Sequence, residues 1–314
     1  MKWRVLITAP RAHPVLDRYR DQLGAAGCAV ESRVPLERFD ESELLPMVGD
    51  ADALICGDDR VTDRVLEAAP RLKVIAKWGT GIDSIDRKAA ARRGIAVCNT
   101  PNAFSEPVAD SVLGYILLFA RQLDRMSADV RDGGWRHVQL RALGECTLGI
   151  VGFGDIGRAV ARRAAAFGMR LLACDVRPIG REGADQLGVR CVTLDQLLAT
   201  SDFVSLHADL RPENRRLINA ERLALMQPSA VLINTARGPL VDEDALVSVL
   251  QQGLLAGAAL DVFESEPLPA DSALRALPGV YLAPHNANSS AAAAERVHAS
   301  TIGCVLRVLA ASTT

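Results

Sequence analysis

The chain has 314 residues, 49% of them apolar and 24% charged, with a formal net charge of -2. That is the composition of an ordinary globular protein, with room for two domains of roughly 100–200 residues each. A pI near 6.2 argues against a nucleic-acid partner or a membrane surface held by bulk positive charge.

The start, MKWRVLITAP, carries charges inside its apolar stretch and reads as a first strand, not a signal peptide. Short continuous apolar runs then recur: Val5–Thr8, Ala53–Cys56, Val74–Lys77, Ala96–Cys98, Leu148–Val151, Leu171–Cys174, Phe203–Leu206, Ala230–Asn234, Gly257–Asp261 and Val280–Ala283. Runs without polar alternation belong to strands covered on both faces, hence to parallel sheets. Helical segments lie between them: Pro14–Ala26, Asp63–Ala69, Ser84–Arg93, Ile156–Ala166, Leu194–Ala199 and Asp242–Gln252. The alternation predicts an α/β chain with right-handed crossovers. A long apolar helix, about Pro107 to Met126, leads out of the first strand set. It is apolar on more than one face, which favours a homodimer seam. The longest apolar run, Val112 to Ala120, is far shorter than the roughly 20 residues that cross a bilayer. A second strand set begins at Thr147, and the Ala-rich tail after His285 is expected to return to the first unit. The predicted organisation is therefore two Rossmann-like doubly wound domains, 1–100 plus 286–314 and 101–285, with the active site in an interdomain cleft.

The seven cysteines contain no C-x-x-C pair, and Cys28, Cys56, Cys98 and Cys174 sit in apolar stretches. Free buried thiols in a reducing, cytoplasmic compartment are expected, and no metal site.

Gly152-Phe153-Gly154-Asp155-Ile156-Gly157 follows one predicted strand and opens a helix. In that setting Gly152 allows the tight turn, Gly154 lets the backbone approach a pyrophosphate, and Gly157 lets helix and strand pack closely. The helix N-terminus offers free N–H groups to the anion. Asp175 ends the next strand, 23 residues past Gly152. An acid there accepts from the adenosine ribose hydroxyls and repels a 2′-phosphate, which points to NAD. Arg177 would moderate that selectivity, and Asp155 puts a negative charge near the pyrophosphate unless it caps the helix.

Arg237, Glu266 and His285 each follow a predicted strand, and strand ends of a parallel sheet share one edge. A guanidinium binds a carboxylate bidentately and polarises the neighbouring carbonyl. An imidazole gives or takes a hydroxyl proton near neutrality. A carboxylate on its far nitrogen fixes the tautomer and raises its pKa. Together these suit a 2-hydroxy acid/2-oxo acid couple.

Six stretches carry a family resemblance: KWGTGIDSID (Lys77–Asp86), NTPNAFSEPVADSV (Asn99–Val112), LGIVGFGDIGRAVA (Leu148–Ala161), NTARGPLVDEDAL (Asn234–Leu246), LAGAALDVFESEP (Leu255–Pro267) and LAPH (Leu282–His285). On these the chain resembles the D-isomer-specific 2-hydroxyacid dehydrogenases, most nearly the 3-phosphoglycerate dehydrogenase branch in a short form without a regulatory domain. The resemblance implies hydride transfer between NADH and a 2-oxo acid, or the reverse. It casts Arg237 as substrate carboxylate binder, His285 as proton donor and acceptor, and Glu266 as its partner. It gives NAD contacts to Thr80, Gly152, Gly154, Asp155, Ile156, Gly157, Asp175, His207, Ala208, Thr235, Ala236, Arg237, Asp261, His285 and Asn288. It places Trp78, Gly79, Thr80, Gly81 and Asn102 at the substrate, with the Gly79–Gly81 backbone N–H groups on its carboxylate. Three positions depart from the family pattern: His285-Asn286-Ala287-Asn288 lacks the usual glycine, Asp209 replaces a proline, and Trp78 replaces a smaller residue.

Arg60 and Lys77 are the cations available for a second anionic group, so an acidic substrate of the phosphoglycerate or phosphonate kind is expected. Two other readings stay open: a phosphite-type dehydrogenase, which uses the same three residue types, and an NAD-sensing binding protein on the same fold. A glutamine in place of Glu266 would mark a formate enzyme.

Overall fold

The apolar runs form two all-parallel sheets. The computed structural model describes residues 2–180 and 184–312. The chain divides into one unit of Met1–Phe104 with Ser290–Thr314 and another of Ser105–Ser289.

The first unit holds β1 (Trp3–Ile7), β2 (Cys28–Ser32), β3 (Ala53–Cys56), β4 (Val74–Lys77) and β5 (Ala96–Cys98) in the order β2-β1-β3-β4-β5. All of β3 and β4 is buried. Leu54 and Ile75 sit in a core with Leu44, Val48, Val65, Leu66, Ala89 and Ala90. Full burial of each such aliphatic side chain is worth about 1.5–3 kcal/mol. The C-terminal helix, Ala291–Ala311, packs on β4, and its Val297, Thr301 and Val305, spaced at the four-residue helical repeat, are buried. Its first turn is closed by the Ser290 hydroxyl, which accepts from the Ala293 N–H.

The second unit holds β6 (Thr147–Val151), β7 (Arg170–Cys174), β8 (Val189–Cys191), β9 (Phe203–Leu206), β10 (Val231–Asn234), β11 (Gly257–Leu260) and β12 (Val280–Leu282). Their order is β12-β11-β10-β9-β6-β7-β8. Strand order reverses at β6, between β9 and β7, and such a switch point opens a ligand crevice at the carboxyl ends. In the first unit the switch point lies between β1 and β3.

Three expectations need correction. Strands β2 and β8 had no apolar run to announce them. Each is the outermost strand of its sheet, so part of it faces solvent and its sequence is mixed, CAVES and VRC. The helix expected to run to Met126 stops at Arg121: Gln122 takes a left-handed conformation (φ 44°), and a second helix runs Leu123–Arg131. Finally, Cys98 is not a free thiol. The fold brings the end of β5 to the C-terminal helix, and Cys98 is disulfide-bonded to Cys304 across 206 residues of chain. Cys28, Cys56, Cys146, Cys174 and Cys191 are free. Among the described residues no helix is long and apolar enough to cross a membrane.

Candidate active site

The glycine-rich turn sits at the switch point of the second unit. Gly152 takes φ 93°, a left-handed conformation suited to glycine. A Cβ there would lie 2.6 Å from the His207 carbonyl carbon and 2.7 Å from the Ala208 nitrogen, so the β6 and β9 loops touch backbone to backbone. A Cβ on Gly157 would lie 2.2 Å from the Gly152 carbonyl oxygen, which fixes helix against strand. Gly154 differs. A Cβ there would meet only the Arg177 guanidinium, at 3.9 Å, so protein packing does not demand a glycine at this position. Gly154 is the N-cap of the Asp155–Ala166 helix, and no side chain caps it. Asp155 is in the first turn and exposed, so it does not cap the helix. Ile156 follows it, half-buried. The end therefore offers uncapped N–H groups to an anion.

Asp175 ends up beside this turn. Its carboxylate accepts the Phe153 N–H (2.8 Å) and the Arg177 N–H (2.9 Å). Burial alone would raise its pKa, but these bonds and the Arg177 guanidinium hold it below the ordinary value, so it is ionised at neutral pH. Thr235, just past β10, is buried with a hydroxyl that has no hydrogen-bond partner among the described residues. An uncapped helix end, an open glycine, an ionised acid and an orphaned hydroxyl on one sheet edge fit a dinucleotide.

His207 closes β9 with its Nε2 2.9 Å from the Ser205 hydroxyl. Burial drives the imidazole down to about 3, so it is neutral.

The three chemical side chains leave the same edge on β10, β11 and β12. Asn234, Leu260 and Leu282 are in register across those strands. Arg237 lies three residues past Asn234, and His285 lies three past Leu282. Asn234 sets the first loop: its Nδ2 donates to the Arg237 carbonyl (2.9 Å) and its Oδ1 accepts the Ala236 N–H (3.1 Å). Gly238 allows the next approach. A Cβ on it would lie 1.9 Å from the Phe263 carbonyl carbon, inside the loop that carries Glu266. Glu266 Oε1 accepts the Phe263 N–H (2.9 Å), which turns Oε2 toward His285. That oxygen lies 2.9 Å from His285 Nδ1. Since a carboxylate only accepts, Nδ1 carries the proton of this bond and Nε2 is left for exchange.

His285 has φ 48°, a conformation a histidine adopts only when its surroundings hold it. Asp261 holds it. The Asp261 carbonyl accepts the His285 N–H (2.8 Å), and its carboxylate accepts the Asn286 and Ala287 N–H groups (2.8 and 2.9 Å). Burial raises the pKa of this carboxylate against the two backbone bonds. Asp261 thus secures a turn that lacks the glycine usual in the resembled family. Asn288 lies one residue past that clamp. A further clamp was not singled out in the sequence: a Glu243 carboxylate oxygen accepts the Glu264 N–H and steadies the Glu266 loop. Its signal was its place in the first turn of a helix, where acids are common for other reasons.

In the first unit, the Gly79–Gly81 loop follows β4. Thr80 is tied down at both ends, its hydroxyl donating to the Thr100 carbonyl (3.1 Å) and its own carbonyl accepting from Asn99 Nδ2. Asn102 takes φ 57°. Trp78 does not offer its indole to a substrate as expected. It is 7% exposed, packs on Phe104 and donates to His298 Nδ1 (3.0 Å), because a large apolar ring with one donor is satisfied under the C-terminal helix. Arg60 is exposed and pairs with Asp40 (3.1 Å). Lys77 is buried and pairs with Asp58 (3.2 Å). Among the described residues no group of three or more His, Cys, Asp or Glu side chains is placed to hold a metal ion.

Residues 113–287 match the family model described as D-isomer specific 2-hydroxyacid dehydrogenase, NAD binding domain. Over 255 residues the chain is 45% identical to a glyoxylate reductase from Korarchaeum cryptofilum, covering 79% of this chain and 76% of that protein. It is 40% identical over 274 residues to a hydroxypyruvate reductase from Thermotoga maritima, covering 85% and 88%. A D-lactate dehydrogenase from Aquifex aeolicus, solved with NAD and lactic acid, matches with a TM-score of 0.88 at 30% identity, over 98% of this chain and 96% of that one.

Proposed function

Because the chain belongs to the D-isomer specific 2-hydroxyacid dehydrogenase family, we propose that it reduces a small 2-oxo acid of the glyoxylate or hydroxypyruvate type to the D-2-hydroxy acid. NAD is the cofactor of this family, and NADH when bound supplies the hydride. Gly152, Gly154, Gly157 and the N-terminus of the Asp155–Ala166 helix hold its pyrophosphate, Asp175 its ribose, and Thr235 its far end. Asp175 excludes a 2′-phosphate by charge.

Arg237 binds the substrate carboxylate and polarises the adjacent carbonyl. His285 Nε2 gives its proton to the oxygen as the alcohol forms. Glu266 orients the ring and stabilises the imidazolium in the reverse direction. The observation that carries this reading is the 2.9 Å contact between Glu266 and His285 Nδ1 on a strand edge shared with Arg237. The competing substrate class, with a second anionic group, relied on Arg60 and Lys77. Both are already paired with carboxylates.

The test is NADH oxidation over a panel of 2-oxo acids, with NAD reduction by phosphite as the contrasting arm. Turnover of glyoxylate or hydroxypyruvate is expected. Turnover of phosphite alone, or of neither class, overturns the reading.

A homodimer belongs to the same proposal. Leu123, Val130, Trp135 and Val138 are exposed on the segment beyond Gln122. Four exposed large apolar side chains within sixteen positions suit an interaction surface, and a second copy is its proposed occupant. Light scattering at micromolar concentration should give twice the 33.6 kDa chain mass; a single-chain species removes the dimer.

A further inference from the structure

We propose that Arg177 binds the cofactor's pyrophosphate and supplies the positive charge that the glycine-rich turn itself lacks. The role rests on the reading above that seats this group at Gly154.

The turn is made of backbone and flanked by acids. Its helix end offers uncapped N–H groups, but Asp155 is exposed in the first turn and the ionised Asp175 follows the neighbouring strand. A pyrophosphate would add its own negative charge to those two carboxylates. The helix end offsets the equivalent of only about half an elementary charge. A cation close to Gly154 is needed to restore the balance.

Two other arginines around the turn have partners of their own. The Arg158 guanidinium stands over the Phe153 ring, 5.6 Å from its centre. Arg211 Nε donates to Asp209 (2.7 Å). Arg177 is placed differently. Its Nη2 is the atom that a Cβ on Gly154 would meet, at 3.9 Å. Its N–H is fixed on the Asp175 carboxylate (2.9 Å), and its Nε lies 3.6 Å from Asp175 Oδ1 in a loose ion pair. The two contacts fold the side chain back toward the turn. A planar guanidinium can keep its Nε edge toward a carboxylate while its terminal nitrogens take phosphate oxygens. The side chain is 73% exposed, so little desolvation opposes the contact. Asp175 thereby gains a second task beside the ribose, which is to position the arginine. Engaged by the pyrophosphate, Arg177 does not serve a 2′-phosphate.

Isothermal titration with NADH, NADPH, ADP-ribose and adenosine reads the contact without turnover. In Arg177→Ala, NADH and ADP-ribose should bind about tenfold more weakly. Adenosine, which has no phosphate, should change by less than about twofold. Arg177→Lys should recover part of the loss, because it keeps the charge without the planar fork. Salt should weaken ADP-ribose binding less steeply in Arg177→Ala than in wild type. Equal losses for adenosine and ADP-ribose would assign Arg177 to the adenosine end, and a loss confined to NADPH would assign it to a 2′-phosphate. Either result overturns the proposal, as does unchanged binding of all four ligands. Wild-type NADH binding without turnover of any 2-oxo acid would remove the reductase reading and leave this contact standing.

Discussion

Both units present the carboxyl ends of parallel strands, and they load that edge differently. On the second sheet, buried polar side chains clamp backbone. Asp261 holds the His285 turn, Asn234 holds the Arg237 turn, and Glu243 holds the Glu266 loop. On the first sheet, a buried ion pair sits under a glycine loop. Under the proposed chemistry the clamps have a physical reason: proton transfer needs donor and acceptor fixed to fractions of an ångström, and a mispositioning of about 1 Å costs about 10²-fold.

The largest effect should come from removing the proposed proton carrier. His285→Ala is expected to lower kcat by a factor of about 10²–10⁴ while leaving the NADH dissociation constant within a few-fold. Stopped-flow turnover and fluorescence titration read the two quantities separately. Normal turnover would show that another group moves the proton.

Next is Gly238→Ala, where one methyl group meets the Phe263 backbone at 1.9 Å. The Arg237 and Glu266 loops must separate, so kcat/KM should fall by about 10²-fold, together with a lower Tm. Gly154→Ala is the contrast. Its Cβ meets nothing of the protein closer than 3.9 Å, so Tm should hold, while NADH binding weakens about tenfold because the methyl group occupies pyrophosphate space. Equal Tm losses in the two variants would mean that both glycines serve the fold alone.

The second sheet was more legible in the sequence than the first. Its G-x-G-x-x-G turn, acid-ended β7 and three polar strand ends are local patterns, and residues at strand ends converge once the sheet is parallel. What could not be read were facts of packing. CAVES and VRC lack the continuous run of a covered strand because they are edges. The Cys98–Cys304 bond joins residues 206 apart that only the returning helix brings together. The ion pairs of Lys77 and Arg60 were equally hidden, because a sequence shows a cation without its partner. Asp58 and Asp40 were visible residues, but their pairing depends on loop geometry.

The smallest expected effect sets one histidine of each unit against the other. His207 in the second unit and His298 in the first are both held below the ordinary imidazole value by burial, His207 at about 3. His298 Nδ1 also accepts the Trp78 indole N–H, which requires its neutral form. Since the folded state resists protonation, each contribution is fully present above the unfolded pKa of about 6.5 and is lost as pH falls below it. For His207 the loss between pH 7 and 5.5 is on the order of 1 kcal/mol. The raised carboxyls of Asp59 and Asp261 act with the opposite sign, because their folded forms take up a proton first on acidification. The informative quantity is therefore the pH dependence of wild type minus variant, from urea unfolding of wild type, His207→Asn and His298→Asn. The acid sensitivity should shrink in both variants, and more in His207→Asn, because His207 is shifted further and keeps losing stability down to about pH 3. A dependence that survives both substitutions unchanged would assign the acid lability to carboxyls held below their ordinary value, such as Asp175 and Asp202.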